Sequence, residues 1–352
     1  MGKRRTIRDI KAKKEEQKRR AKRRKRATFL IGEILVFVLL CAVWYGIKTA
    51  DKFQIQRFAE GEIKVNEGVT KKGYTTLALF GGDSRDGILD AGTHTDAIMI
   101  VSVHNETKEV KVVSVFRDTI TEQMDGQMKK ANNAYFVGGP KEAINMLNKN
   151  FDLDIQGYVT VDFAALADTV DLLGGIEVTI SKAEAKEMNR YIKETSQIVG
   201  KESGKVKKGS QNLDGVQAVT YARIRKNVGG DYQRVDRQRF IVEAIVKKMK
   251  QTDLGTMKDI VSTVSEQIST SLTLSEMLHL ATGVAQYELK GSKGFPFEYT
   301  DGRVDNVGSV VIPLDLKSNV EQLHGFLYED LEYKTSQTVQ YISDNIQLIT
   351  GS

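Results

Sequence analysis

The chain has 352 residues, 40% of them hydrophobic and 28% charged, with a net charge of +6 and a single cysteine. That length and composition suit one large folded domain. The lone thiol, Cys41, excludes a disulfide scaffold, and it leaves everything beyond its own apolar run without a cysteine nucleophile or a thiolate zinc site. The charge is uneven: residues 1–26 hold fifteen Lys and Arg against Asp9, Glu15 and Glu16, a local +12, so residues 27–352 carry −6.

In chain order, residues 1–27 are a basic tail. Residues 28–47, TFLIGEILVFVLLCAVWYGI, are almost wholly apolar and of bilayer-spanning length. Glu33 is their one charge, near the tail end, and Trp44 and Tyr45 stand at the other end, as interface anchors do. A basic run can bind nucleic acid. Here, directly before an apolar segment, it is better explained as the charge that holds one end of a span in the cytoplasm. No small-x-small cleavage site follows, so the expectation is a transmembrane helix rather than a cleaved signal peptide. The protein is then a single-pass type II cell-membrane protein with an extracellular domain and no nucleic-acid partner. A domain without disulfides suits the surface of a bacterium that lacks a disulfide-forming periplasm.

Residues 48–72 are polar and without period, and read as a juxtamembrane stalk. From 73 to 352 strands and helices alternate. Strands are expected at 75–80, 97–103, 110–115, 158–162, 176–180 and 309–312, and helices at 141–150, 163–173, 234–249, 256–269, 274–287 and 336–349. This alternation predicts an α/β fold, a three-layer α/β/α sandwich with a mixed central sheet.

The charged residues worth following sit where those elements end. Asp83 and Arg85 follow the first strand in GGDSRDG, Asp96 precedes the second, and Arg117 and Asp118 follow the third. Ligands of α/β sheets bind beyond strand ends. Asp83 and Asp96 can each give one carboxylate oxygen to Mg²⁺, leaving its other positions to water and phosphate. Singly, an aspartate in a loop is more often a turn residue. Arg223 and Arg225 share one side if their segment is extended. Arg234, Arg237 and Gln238 share a face if a helix starts near Asp231, with Asp231 as its N-cap. Guanidiniums converging on a helix N-terminus suit phosphate, although a solvated basic helix explains this segment alone equally well. His94, His104, His279 and His324 lack metal-ligand spacing and read as structural or surface residues.

Taken together, GGDSRDG (81–87), THTDAI (93–98), VVSVFRD (112–118), KKANNAYFVGG (129–139), YVTVDFAALADTVDLLGGIEV (158–178), LDGVQAVTYARIR (213–225) and GGDYQRVDRQRFI (229–241) resemble the LytR-CpsA-Psr family, in family order. Phe116 departs from the family, which usually has proline before the Arg-Asp pair. The resemblance implies a phosphotransferase that moves a glycopolymer from a polyprenyl-pyrophosphate carrier to peptidoglycan, forming a phosphodiester. It implies Mg²⁺ on Asp83 and Asp96. Pyrophosphate contacts would come from Arg85, Arg117, Arg223, Arg225, Arg234, Arg237 and Gln238. A carboxylate must act as base and take the acceptor proton; Asp231, amid the arginines, is the first candidate and Asp118 the second. The apolar helices at 163–173 and 238–249 are ordinary core by composition, and the resemblance adds that this core can hold the polyprenyl chain. Two alternatives stay open: a hydrolase of the same lipid diphosphate with water as acceptor, and a non-catalytic regulator that binds lipid phosphates. The polymer itself, teichoic acid, capsule or another glycan, is not written in the motifs.

Overall fold

The computed structural model describes residues 53–84, 87–249, 251–273, 276 and 287–351. Among these, no helix is long and apolar enough to cross a membrane. The expected tail and span, most of the helix expected at 274–287, His279 and Arg85 lie outside the described residues.

The chain enters at strand β1 (Gln54–Ile55) and reaches the long β2 (Tyr74–Asp83), β3 (His94–His104) and β4 (Glu109–Val115). A small hairpin, β5 (Ile120–Glu122) and β6 (Met128–Lys130), leads into helix α1 (Ala131–Phe151). That helix is broken at Gly138 and Gly139, where the backbone leaves helical angles, and Pro140 restarts it. Then come β7 (Gly157–Asp162), α2 (Phe163–Leu172), β8 (Ile176–Ile180) and α3 (Lys182–Val199). They are followed by β9 (Gly209–Leu213), α4 (Gly215–Arg223) and α5 (Gly230–Met249). The last third holds α6 (Leu254–Val264), β10 (Ile268–Thr270), β11 (Glu288–Phe295), the hairpin β12 (Tyr299–Val304) and β13 (Gly308–Pro313), α7 (Leu316–Tyr328) and α8 (Gln337–Thr350).

Seven strands form one mixed sheet in the order β1-β10-β7-β2-β3-β4-β11. β7 is parallel to β2 and β11 to β4, while β3 runs antiparallel between β2 and β4. So β2, β4, β7 and β11 point the same way and end along one edge. Strand alternation divides the core. Ala78, Phe80, Ile100 and Val113 face a layer made by α1, α7 and α8. Leu77, Met99, Val101 and Val112 face the opposite layer, which contains α6 and part of α2. The central part of the expected architecture, an α/β domain with a mixed sheet, is what the chain adopts.

Three expectations differ in detail. The segment expected as a polar stalk, from 53 onward, is packed onto the domain: Phe53 is buried, β1 pairs with β10, and Asn145 Oδ1 accepts a hydrogen bond from the Lys64 backbone N–H at 2.7 Å. Its few apolar residues are spent on the core, so no period marks them. The helix expected at 256–269 stops at Val264, because Ile268 is drawn into the sheet opposite Val161. The helix around Asp231 begins at Gly230, so Asp231 stands inside its first turn rather than capping it.

Candidate active site

The common carboxyl edge of the sheet carries the charged residues. Asp83 closes β2, Asp162 closes β7, and Arg117 and Asp118 follow β4. Asp96 arrives there by a β-bulge. Gly81 pairs with Ala97 and Gly82 with Thr95, so Asp96 has no partner across the ladder and its side chain is re-aimed. Gly82 is closely packed: a Cβ there would lie 3.0 Å from the side chains of both Leu89 and Thr93, residues of the loop that leads back to β3, which would have to give way.

Asp96 is the centre of the cluster. Arg117 donates to its Oδ1, and the Arg234 guanidinium lies 3.7 Å from the same oxygen. Arg234 is 1% exposed and Asp96 18%, so both charges are mostly removed from water. Burial opposes ionisation of Asp96, but the guanidiniums of Arg234, Arg117 and Arg225 prevail and hold its carboxyl below the usual range. Arg223, the last residue of α4, reaches Asp83 at 4.0 Å, donates to Thr195 Oγ1 at 3.2 Å and stacks over the Phe163 ring. Ile224 beyond it is extended and buried, which leaves Arg225 exposed on the loop before α5.

Arg237, expected beside Arg234 on one helix face, is turned to a different task. Its guanidinium donates to the carbonyls of Ile224 (2.7 Å) and Val228 (3.0 Å) and stands 3.6 Å from Glu184. It thus clamps the loop that carries Arg225. Gly229 closes that loop with φ +92°, and a Cβ there would run into Gln233. Asp118 is held by Lys130 at 2.8 Å and by Arg117 at 3.5 Å. The Asp231 side chain lies outside the described residues; its backbone is in the first turn of α5, three residues before Arg234.

An apolar cavity of about 160 Å³ opens between the sheet and helices α2 and α5. Leu79, Met99, Val161, Leu166 and Ile241 are among its walls, and the polar groups in its lining are Asp96, Asp162 and Gln238. Asp162 also caps α2, accepting from the Ala165 N–H at 2.7 Å. Its burial, opposed by the N–H groups of Ala165 and Ala164, leaves its carboxyl above the usual range. Sequence reasoning passed over Asp162 and Lys130. Both lie in motifs already singled out, and the signal that marked Asp83, an aspartate closing a strand, marks Asp162 equally.

The metal question turns on few donors. Among the described residues, no group of three or more His, Cys, Asp or Glu comes together as a metal site. A cation here would take Asp83 and Asp96 at most, as Mg²⁺ does when substrate phosphates complete its shell. The fit rests on Asp83: its Oδ1 is buried and accepts no hydrogen bond. A buried anionic oxygen without a donor is costly and is relieved by a hard cation.

The LytR_cpsA_psr family profile matches residues 41–323. Among curated proteins, the polyisoprenyl-teichoic acid–peptidoglycan teichoic acid transferase TagU of Bacillus licheniformis is 30% identical over 226 residues, 61% of this chain and 68% of the relative. TagU of Enterococcus faecalis is 26% identical over 318 residues, 85% of this chain and 99% of the relative. In fold, the chain is similar to a crystal structure of a Streptococcus agalactiae protein, with TM-score 0.61 and 21% identity, covering 76% of this chain and 93% of that one. It is similar also to TagT bound to LIIa-WTA, with TM-score 0.55 and 21% identity, covering 84% of this chain and all of that one. A profile match across most of the chain, motifs in order and a common fold lead to one statement: the chain belongs to the LytR_cpsA_psr family.

Proposed function

We propose that this protein transfers a teichoic-acid-type glycopolymer from a polyprenyl-pyrophosphate carrier to peptidoglycan. The observation that carries the reading is the double membership of Asp96, which anchors the arginines and also lines the apolar cavity. A lipid diphosphate has the same two parts, a charged head and an apolar tail, joined at one point. The TagU relatives, named for this transfer, support the reading.

In the proposed step an acceptor hydroxyl oxygen attacks the phosphorus that bears the polymer. The new sugar O–P bond forms, the P–O–P bridge breaks, and polyprenyl phosphate leaves with the bridging oxygen. Arg117, Arg223, Arg225 and Arg234 hold the diphosphate and meet the charge growing on the leaving phosphate. Arg85 belongs to the same motif as Asp83 and would join them, and Gln238 faces the start of the lipid from the cavity wall. Arg237 serves by fixing the loop of Arg225. Asp231 receives the acceptor proton, with Asp118 the alternative. Mg²⁺ held by Asp83 and Asp96 would neutralise further phosphate charge when bound. Residues 28–47 anchor the protein with the catalytic domain outside the cell membrane, where carrier and peptidoglycan meet.

The test is full-length protein with a lipid-linked polymer and uncrosslinked peptidoglycan. Release of polyprenyl phosphate matched by polymer–peptidoglycan phosphodiester is expected. Release without any acceptor product would make the protein a hydrolase, and binding with no release would make it a lipid-phosphate-binding regulator.

A further inference from the structure

Beyond the cation cluster, at the carboxyl ends of β4 and β11, lies a second depression of about 440 Å³. Its floor is aromatic. Phe116, Tyr232 and Tyr299 meet with ring centroids 5.0, 5.3 and 4.9 Å apart, Phe116 edge-on to both tyrosines. Phe116 stands where the resembled family usually has proline, and its ring fits because residue 294 is glycine: a Cβ there would lie 2.8 Å from the ring. Tyr232 is fixed by its hydroxyl, which donates to Asp301 at 2.5 Å. Lys293 and Gln322 border the rings and supply hydrogen-bond donors, and Arg239 does so beside Asp236, a carboxylate of the same lining to which it donates.

Groove and candidate active site are built from neighbouring residues of the chain. Phe116 precedes Arg117, and Tyr232 stands two residues before Arg234. In the sheet order β7-β2-β3-β4-β11, the apolar cavity takes its strand residues from β7, β2 and β3, and the aromatic groove takes its own from the β4 and β11 side. Arg117 and Arg234 link the two, touching Asp96 of the cavity and following Phe116 and Tyr232 of the groove in the chain. Phosphoryl transfer places the attacking and leaving oxygens roughly in line, on opposite sides of phosphorus. A tail bound on the β7 side therefore sends the acceptor in from the β11 side.

We propose that the groove of Phe116, Tyr232 and Tyr299 binds the acceptor, a peptidoglycan glycan strand of N-acetylated hexosamines, and presents its hydroxyl to the diphosphate; this rests on the transferase reading above. Rigid aromatic rings offer flat apolar area at little entropic cost, which suits the C–H face of a pyranose. The flanking cation and amide groups suit its hydroxyls, its acetamides and the carboxylates of its stem peptide. An undecorated apolar tail would match the rings but make no use of the polar groups around them.

The experiment uses full-length protein in detergent, with Tyr299→Ala and, on an exposed helix position at the rim, Gln322→Trp. Calorimetry with a peptidoglycan tetrasaccharide, without donor, reads the groove alone; steady-state transfer reads the KM of each substrate. Wild type should bind the tetrasaccharide. Each variant should weaken that binding and raise the acceptor KM by about tenfold, the worth of one well-packed aromatic contact or its steric denial, while the donor KM holds. Wild type that ignores the tetrasaccharide, folded variants with an unchanged acceptor KM, or a rise confined to the donor KM would each overturn the proposal, the last giving the groove to the polymer. Wild type that binds tetrasaccharide in the groove but releases no polyprenyl phosphate would instead sink the transferase reading and leave the glycan site standing.

Discussion

Arg234 points its guanidinium at Asp96 from 3.7 Å while only 1% exposed, and Arg117 donates to the same carboxylate oxygen. Both cations thus draw on one carboxylate oxygen, Arg117 also facing Asp118, with Arg225 close enough to favour the ionised form of Asp96 as well. A bound diphosphate would bring further negative charge to this cluster. Removing this anion takes away a main counter-charge of the buried Arg234, and breaking a buried pair costs up to roughly 3–5 kcal/mol. Asp96→Asn should therefore lower thermal stability by an amount of that order, and added inorganic pyrophosphate should restore part of it. The pH sign follows from the depressed carboxyl. The Asp96 contribution is complete above 3.8, its ordinary value, and is lost as pH falls through the lower folded value. Melting curves of the two proteins should differ at pH 7 and converge at low pH; a constant gap would assign the loss to packing instead.

Arg225 and Arg237 lie twelve residues apart and should fail in different ways. Arg225 is exposed, so Arg225→Ala should leave the melting temperature nearly unchanged and weaken lipid-diphosphate binding by ~1.5–3 kcal/mol, the range for a lost charge-assisted bond. Arg237 is buried on the carbonyls of Ile224 and Val228. Arg237→Ala should lower both the melting temperature and the affinity, since it strands two carbonyls and frees the loop. Arg237→Lys should recover little, because an ammonium cannot span both acceptors. Equal stability of the two alanine variants would refute this division.

His324 gives a second, independent pH signature, away from the charged edge. It is fully buried, donates from Nε2 to the Phe151 carbonyl at 3.0 Å and stacks on Tyr333. Burial pushes its imidazole down to about 4, with the Phe151 carbonyl opposing and Lys71 assisting. A histidine lowered from 6.5 stays neutral in the fold while the unfolded chain takes up the proton. Stability should then be complete above 6.5 and fall by up to about 3 kcal/mol as pH drops towards 4. Denaturant titrations at several pH values should show this slope in wild type and lose it in His324→Gln.

Protease added to intact, wall-stripped cells should digest the domain and spare the basic tail, as the +12 charge before an apolar run of spanning length requires. Full protection of the domain would reverse the topology and remove the extracellular chemistry with it.

The sequence showed most where the signal was local. Strand β8 and helix α2 stand at the expected places because alternation and a closing Gly-Gly are read within a few residues. Helix α3 was passed over although Ser181 and Glu184 form a capping box and Gly200 closes it in the left-handed region, all readable locally. Strand β10 was not readable: three residues follow a helical pattern, and only pairing with β7, more than a hundred residues away, makes them a strand. In the site, the residue types were legible and their division of labour was not. Spacing put Arg234 and Arg237 on one helix face, but the loop doubling back over α5 takes Arg237, and a bulge against Gly81 and Gly82 brings Asp96 to Arg234.

The proton acceptor separates Asp231 from Asp118. Asp118 already accepts from Lys130 and faces Arg117, contacts that tie its orientation to the loop after β4. Asp231 stands in the first turn of α5, one residue before the groove tyrosine Tyr232 and three before Arg234. In the proposed geometry, an acceptor hydroxyl entering from the groove would meet the diphosphate there. Asp231→Asn keeps the volume and removes the basicity, so donor binding should persist while turnover falls ~100–10,000-fold, the range for a general base. Asp118→Asn should lose less turnover and more stability, because Lys130 is left without its partner. The deciding measurement is turnover at saturating donor and acceptor, beside lipid-diphosphate binding for each variant. Near-normal turnover in Asp231→Asn with collapse in Asp118→Asn would exchange the two roles. Lost donor binding in Asp231→Asn would make that residue an organiser of the arginines rather than the base.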